Sequence, residues 1–135
     1  MNRYLVFCVL LLTGCGLFGG GLASRAADYY AYMLGHGKDV KYSSFLSPAY
    51  RDSFSKDGLA NLNSTMRRGN IQGGRIPAVK AGDIFTYREG NFYVTKISPE
   101  AGEGYDGISL TRWVKAGSGW YLYSGSEAEI EAYGH

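Results

Sequence analysis

Apolar and polar positions divide the chain into three stretches with different periodicities. The first, Tyr4 to Leu12, is an apolar run of about nine residues, too short for a membrane span of about 20. It ends at Thr13, Gly14 and a glycine-rich segment. The second, Ser24 to Met66, repeats at helical spacing. Ala26, Tyr30, Met33 and Leu34 share one face behind Ser24 as N-cap, and Gly35 stops the run, which predicts a first helix of about ten residues. Past Gly35-His36-Gly37, Asp39 to Leu46 predicts a second short helix. Ser47-Pro48 then supplies a cap and a first-turn proline for Ala49 to Phe54, and Asp57 is placed to cap a further turn through Leu59, Leu62 and Met66.

The third stretch changes to β-branched and aromatic residues in short runs. Ile84 to Arg88 and Phe92 to Ser98 flank Glu89-Gly90-Asn91, and Ile108 to Lys115 and Trp120 to Ser124 flank Ala116-Gly117-Ser118-Gly119, which predicts two hairpins. Ile76 to Val79 reads as a short edge strand limited by Pro77. Trp113 breaks alternation with Ile108, Leu110 and Val114, as in a sheet covered partly on both faces or strongly curved. Pro99 to Gly107 is a polar loop, and Ser126 to His135 an acidic tail with room for one helical turn. Helices followed by an antiparallel meander give an α+β fold, with N-terminal helices packed on a curved sheet of about four strands in a cone-like arrangement.

The residues around the first apolar run carry a resemblance. Arg3, the run itself and Leu12-Thr13-Gly14-Cys15 match the signal and lipobox of a bacterial lipoprotein. The resemblance implies a removed signal peptide over 1–14, a lipidated Cys15 attached to the membrane and a localisation in the cell envelope. Because Gly16 rather than aspartate follows the cysteine, it implies by analogy the periplasmic side of the outer membrane in a Gram-negative cell. Two or three acyl chains are needed for durable attachment, each buried methylene being worth about 0.8 kcal/mol. Residues 15–23 then form a glycine-rich tether of about 15 Å end to end, with Leu17, Phe18 and Leu22 free to dip into the bilayer interface. Residues 24–135 form a single domain.

Removing fourteen of the 135 residues leaves 121 and takes Cys8 with it, while lipid blocks Cys15. A disulfide framework, a CxxC redox centre and a thiol nucleophile are thereby excluded from the mature chain. The charges are unevenly spread. Cys15 to Lys80 holds nine basic and four acidic residues, and Ala81 to His135 four basic and eight acidic. The basic half lies beside the anchor, where anionic headgroups are within reach. No cluster exceeds Arg67-Arg68, however, so ordinary solvated faces are the simpler reading, and nothing supports nucleic-acid binding.

The tyrosine-rich first helix, the Phe45-Leu46-Ser47-Pro48 segment and the closing hairpin from Arg112-Trp113-Val114-Lys115 into Trp120-Tyr121-Leu122-Tyr123 resemble the nuclear-transport-factor-2-like superfamily. There, helices pack in the concavity of a curved sheet, and the members include isomerases, dehydratases and non-catalytic binding modules. The resemblance implies two functions. One is a non-catalytic binding or assembly module that takes a small apolar ligand, an envelope protein or a second copy of itself. Trp113, Trp120, Tyr121, Tyr123 and Tyr30 are its pocket or interface residues. The other is a cofactor-free isomerase or dehydratase, for which Asp28 and Asp52 are the candidate bases beside a tyrosine. Core packing is the simpler role for the tyrosines, and a helix-dipole or solvated role for the two aspartates. His36 and His135 have no spacing for zinc, Gly69 to Gly74 lacks the Lys-Ser or Lys-Thr of a phosphate loop, and Asp106-Gly107 reads as a turn, so no metal or cofactor is expected.

Overall fold

A computed structural model of the chain describes residues 21–36, 40–70, 76–102, 104, 105 and 109–134. The expected signal segment, Cys15, most of the expected tether, Asp39 and Asp106-Gly107 lie outside them. The fold is α+β, and a four-stranded antiparallel sheet in the order β1-β2-β3-β4 carries most of the helices ahead of it in sequence. The strands are β1 (Ile84–Glu89), β2 (Phe92–Ile97), β3 (Leu110–Ala116) and β4 (Gly119–Leu122). Both hairpins fall where the turn residues place them. Each two-residue loop opens on a glycine at positive φ, Gly90 at 63° and Gly117 at 62°, which suits the right-handed twist of the flanking strands.

Helix α1 covers 21–33 of the described chain, so the folded domain begins before Ser24. Ser24 is not a cap but an exposed residue inside the helix, and Leu22, expected at a bilayer interface, is 1 % exposed. The reason is periodicity. Leu22 lies one turn ahead of Ala26 and extends the apolar stripe that continues through Tyr29, Tyr30 and Met33, and burial of that stripe overrides the flexibility of Gly21. Gly35, at φ 84°, ends α1 in a Schellman arrangement in which His36 N donates to Ala31 O (2.8 Å) and Gly35 N to Tyr32 O (3.1 Å).

The second expected helix contracts to a 3-10 turn at Tyr42–Phe45, because Phe45 and Leu46 are drawn into the core and Leu46 bridges Leu122. Helix α2 (Pro48–Asp52) starts as expected, with the Ser47 side chain accepting from Tyr50 N and Pro48 in the first turn. Helix α3 (Lys56–Asn70) is capped by Ser55 rather than Asp57, since Ser55 Oγ accepts from Gly58 N at 3.0 Å. Asp57 instead sits in the first turn, where the helix dipole favours a carboxylate. The expected edge strand at 76–79 is absent. Side chains take its carbonyls instead, His36 Nε2 donating to Ile76 O (2.6 Å) and Tyr105 Oη to Pro77 O (2.7 Å), and Pro77 has no N–H to give a ladder. The acidic tail forms helix α4 (Glu127–Tyr133).

Register explains the misfit of Trp113. Residues 93, 113 and 122 stand opposite one another, so Tyr93, Trp113 and Leu122 share the face that packs on α1 with Ile84, Thr95, Ile97 and Trp120. The other face carries Phe92, Val94 and Val114, also buried. At its far end Phe85, Tyr87 and Leu110 are 58 %, 45 % and 56 % exposed. On this face the Arg112–Glu89 ion pair (3.2 Å) crosses β2 above Val94, which register places between Tyr87 and Arg112.

Candidate functional site

The sheet does not close over its own edge. Strand β4 covers only Trp113 to Ala116 of β3, and beyond it a single bond from Tyr123 N to Arg112 O (3.0 Å) continues the pairing. Into the gap left beside Leu110 and Thr111 face Tyr29 and Met33 of α1, Tyr42 and Leu46 of the 3-10 segment, Tyr50 of α2, and Leu62 and Met66 of α3. They enclose a cavity of about 380 Å³, completed by Leu122, Tyr123 and Ser124. That is within the range of small-molecule pockets. Its wall is apolar and aromatic with two thioethers, which pack against irregular shapes at little cost.

The polar side chains of this wall are hydroxyls and Arg112, whose guanidinium is paired with Glu89. Burial raises the Tyr29 phenol well above its usual value, with Tyr42 and Tyr30 acting in the same direction, and burial likewise raises Tyr42. Both rings stay neutral at physiological pH and offer hydrogen bonds, not charge. Tyr30 is fully buried and belongs to the core, but its hydroxyl reaches the cavity indirectly. Trp113 Nε1 donates to Thr95 Oγ1 (2.8 Å), Thr95 Oγ1 and Tyr30 Oη share a bond of 2.7 Å, and Tyr30 Oη donates to Thr111 Oγ1 (3.1 Å). With Tyr30 committed to Thr111, the proton on Thr95 points at Tyr30, so the chain runs in one direction from the indole to the cavity wall. Burial raises the Tyr30 phenol, and the two threonine bonds partly oppose it.

The sequence-derived candidates separate. Trp113 and Trp120 are 0 % and 8 % exposed and are used in the core, Trp113 against the edge of Tyr29 (centroids 5.8 Å) and Trp120 against Tyr93 (4.7 Å). Tyr121 and Tyr123 remain half-buried. Asp28 is exposed and lines a different, polar groove, and Asp52 is exposed at the end of α2. Neither carboxylate reaches the aromatic cavity, whose described wall contains no carboxylate or imidazole. Among the described residues no group of three or more His, Cys, Asp or Glu could hold a metal, and no helix is long and apolar enough to cross a membrane.

Two features were missed in the sequence. One is the exposed patch of Phe85, Tyr87 and Leu110, which strand alternation alone could have assigned to one face once the register was known. The other is Glu129, a fully buried carboxylate. Its Oε1 accepts from Ser126 Oγ (3.0 Å), Ser126 N (3.2 Å), Ser124 N (3.1 Å) and Ser124 Oγ, and its Oε2 from Ser47 Oγ (2.7 Å). Ser126 and Glu129 form a capping box, and the Ser-x-x-Glu spacing was the signal available for it. Ser47 is the cap of α2, so the same carboxylate ties α4 to α2. These donors are all internal, and the site is structural. No protein-family model, curated protein or solved structure matches the chain.

Proposed function

We propose that this chain is a lipid-anchored envelope lipoprotein whose domain is a non-catalytic binding module, holding a small apolar or amphipathic ligand between its helices and its sheet. The observation that carries the reading is the cavity beside Leu110 and Thr111, lined by aromatic and aliphatic side chains with several hydroxyls and Arg112, and with no carboxylate or imidazole in its described wall. Such a wall gains affinity by burying ligand surface and orients the ligand by a few hydroxyl contacts. It offers no group to abstract a proton, so the isomerase reading has no observation in its favour. The helices lying against an antiparallel sheet support the nuclear-transport-factor-2-like resemblance, and Leu12-Thr13-Gly14-Cys15 supports the anchor.

Native mass spectrometry of the protein extracted from bacterial membranes tests the cavity. A retained small molecule is expected. Met66→Trp, which fills the cavity from a half-buried position, should weaken its retention by at least about tenfold. A ligand-free protein, or equal retention by the variant, overturns the cavity reading and turns attention to a protein partner or a second copy on the Phe85, Tyr87 and Leu110 patch. The anchor is tested separately. Labelled fatty acid should enter the wild-type chain and not Cys15→Ser, and equal labelling or none in both refutes it.

A further inference from the structure

A second concavity, of about 900 Å³, lies where the start of α1 meets the β3-β4 turn, and its wall differs from the aromatic cavity in kind. Arg25, Arg51 and Lys115 line it together with one carboxylate, Asp28, and with the Gly117-Ser118-Gly119 turn. Among the described residues of its wall three cations face one anion. The three come from α1, α2 and β3, and Lys115 belongs to the half of the sequence whose overall balance is acidic, so no run of basic residues announces the site.

Arg25 is held in place before any ligand arrives. Its Nη2 donates to Ser44 O (2.6 Å) and its Nε to Trp120 O (3.1 Å), and the guanidinium lies over the rings of Phe45 (4.5 Å) and Tyr121 (5.9 Å). These bonds go to neutral carbonyls and use two of its five N–H donors. Among the described residues Arg25 and Arg51 form no ion pair. Asp28, exposed on the same helix, acts on Arg25 electrostatically without pairing with it, so the half-buried guanidinium, hydrogen-bonded to neutral carbonyls, still has donors to offer an anion from outside.

The position of the groove selects the anion. Gly21 is part of its wall, and Cys15 is six positions upstream. Six residues span at most about 20 Å, so in any conformation of that segment a lipidated Cys15 keeps the groove within that distance of the bilayer. We infer that the groove of Arg25, Arg51 and Lys115 docks on the anionic phosphate headgroups of the membrane in which the chain is anchored. The inference rests on the lipoprotein reading for the position of the anchor. It makes the anchored domain sit with the β3-β4 turn towards the lipid and the Phe85, Tyr87 and Leu110 end of the sheet away from it.

The test uses the chain from residue 15 onward with Cys15→Ser, which contains every described residue and has no lipid, in co-sedimentation with two kinds of vesicle. One is phosphatidylcholine alone, and the other is equal parts phosphatidylcholine and phosphatidylglycerol. Binding only to the anionic vesicles is expected. Arg51→Gln and Lys115→Gln should each lower it about fivefold. Lys80→Gln and Lys96→Gln, exposed cations outside the groove, should leave it unchanged, and circular dichroism confirms that each variant is folded. Equal losses for all four variants would reduce the effect to general charge and overturn the site. Absence of binding to anionic vesicles overturns it as well, and so does binding of inorganic phosphate in its place, measured against matched chloride. Fatty-acid labelling reads the anchor independently, so failure of the groove and failure of the lipoprotein reading give different results.

Discussion

Glu129→Ala should cost the fold about 3 kcal/mol in urea unfolding, although the residue lies in a short terminal helix. Five donor groups of Ser47, Ser124 and Ser126 bond the carboxylate, Ser124 N reaching both oxygens, and alanine leaves those donors facing each other without an acceptor. Two helices lose their connection at once, because Ser47 caps α2 and Ser126 caps α4. The pH dependence separates this role from simple packing. Burial by itself raises the Glu129 carboxyl, and the bonds from Ser124, Ser47 and Ser126 more than reverse it, so the group lies below its ordinary value of 4.5. A depressed carboxyl contributes stability that is complete above its unfolded value and is lost as pH falls through the lower folded value. The difference in stability between wild type and Glu129→Gln should therefore be largest near neutral pH and shrink as the solution is acidified below about 4.5. A difference that stays constant down to the acid-unfolded state would refute the ionised knot.

Trp113→Ala should be more damaging still, by about 4 kcal/mol. The side chain is fully buried on the central part of the sheet, and its removal opens a cavity beneath Tyr29 and takes the indole donor from Thr95. Against a total stability of about 5–15 kcal/mol this approaches unfolding, with a fall in Tm of about 15 °C for a domain of this size. Trp113→Phe keeps most of the ring area and loses only the N–H, so its cost should be about 1.5 kcal/mol. Similar losses for the two variants would mean that the hydrogen-bond chain through Thr95 and Tyr30, not the packed ring, holds the centre of the sheet.

The binding reading and the membrane-docking inference assign different surfaces of one small domain to different tasks. The aromatic cavity opens beside Leu110 and Thr111, at the start of β3, and the basic groove is built around the turn at its end. A module docked through the second would keep the first away from the headgroups.

The sequence by itself determined the elements whose causes are local. Glycine at positive φ fixed both hairpin loops, Ser47-Pro48 started α2, Gly35 stopped α1, and the change from helical to strand periodicity near residue 80 made the chain α+β. It also carried the apolar stripe of α1, although the stripe starts at Leu22 and not after Ser24. Tertiary structure alone decided the contacts between residues far apart. Ser47 meets Glu129 across 82 positions and Tyr30 meets Thr111 across 81, and no spacing along the chain encodes either pair. The register of β2 on β3 decided that Trp113 faces α1 while Phe85, Tyr87 and Leu110 face solvent, because a shift of one residue would exchange the two faces. The packing of α1 and α2 beside the end of β3 gathered Arg25, Arg51 and Lys115 into one groove. Charge acts over distance in space, so a tally by sequence halves averages away a cluster that folding assembles from both.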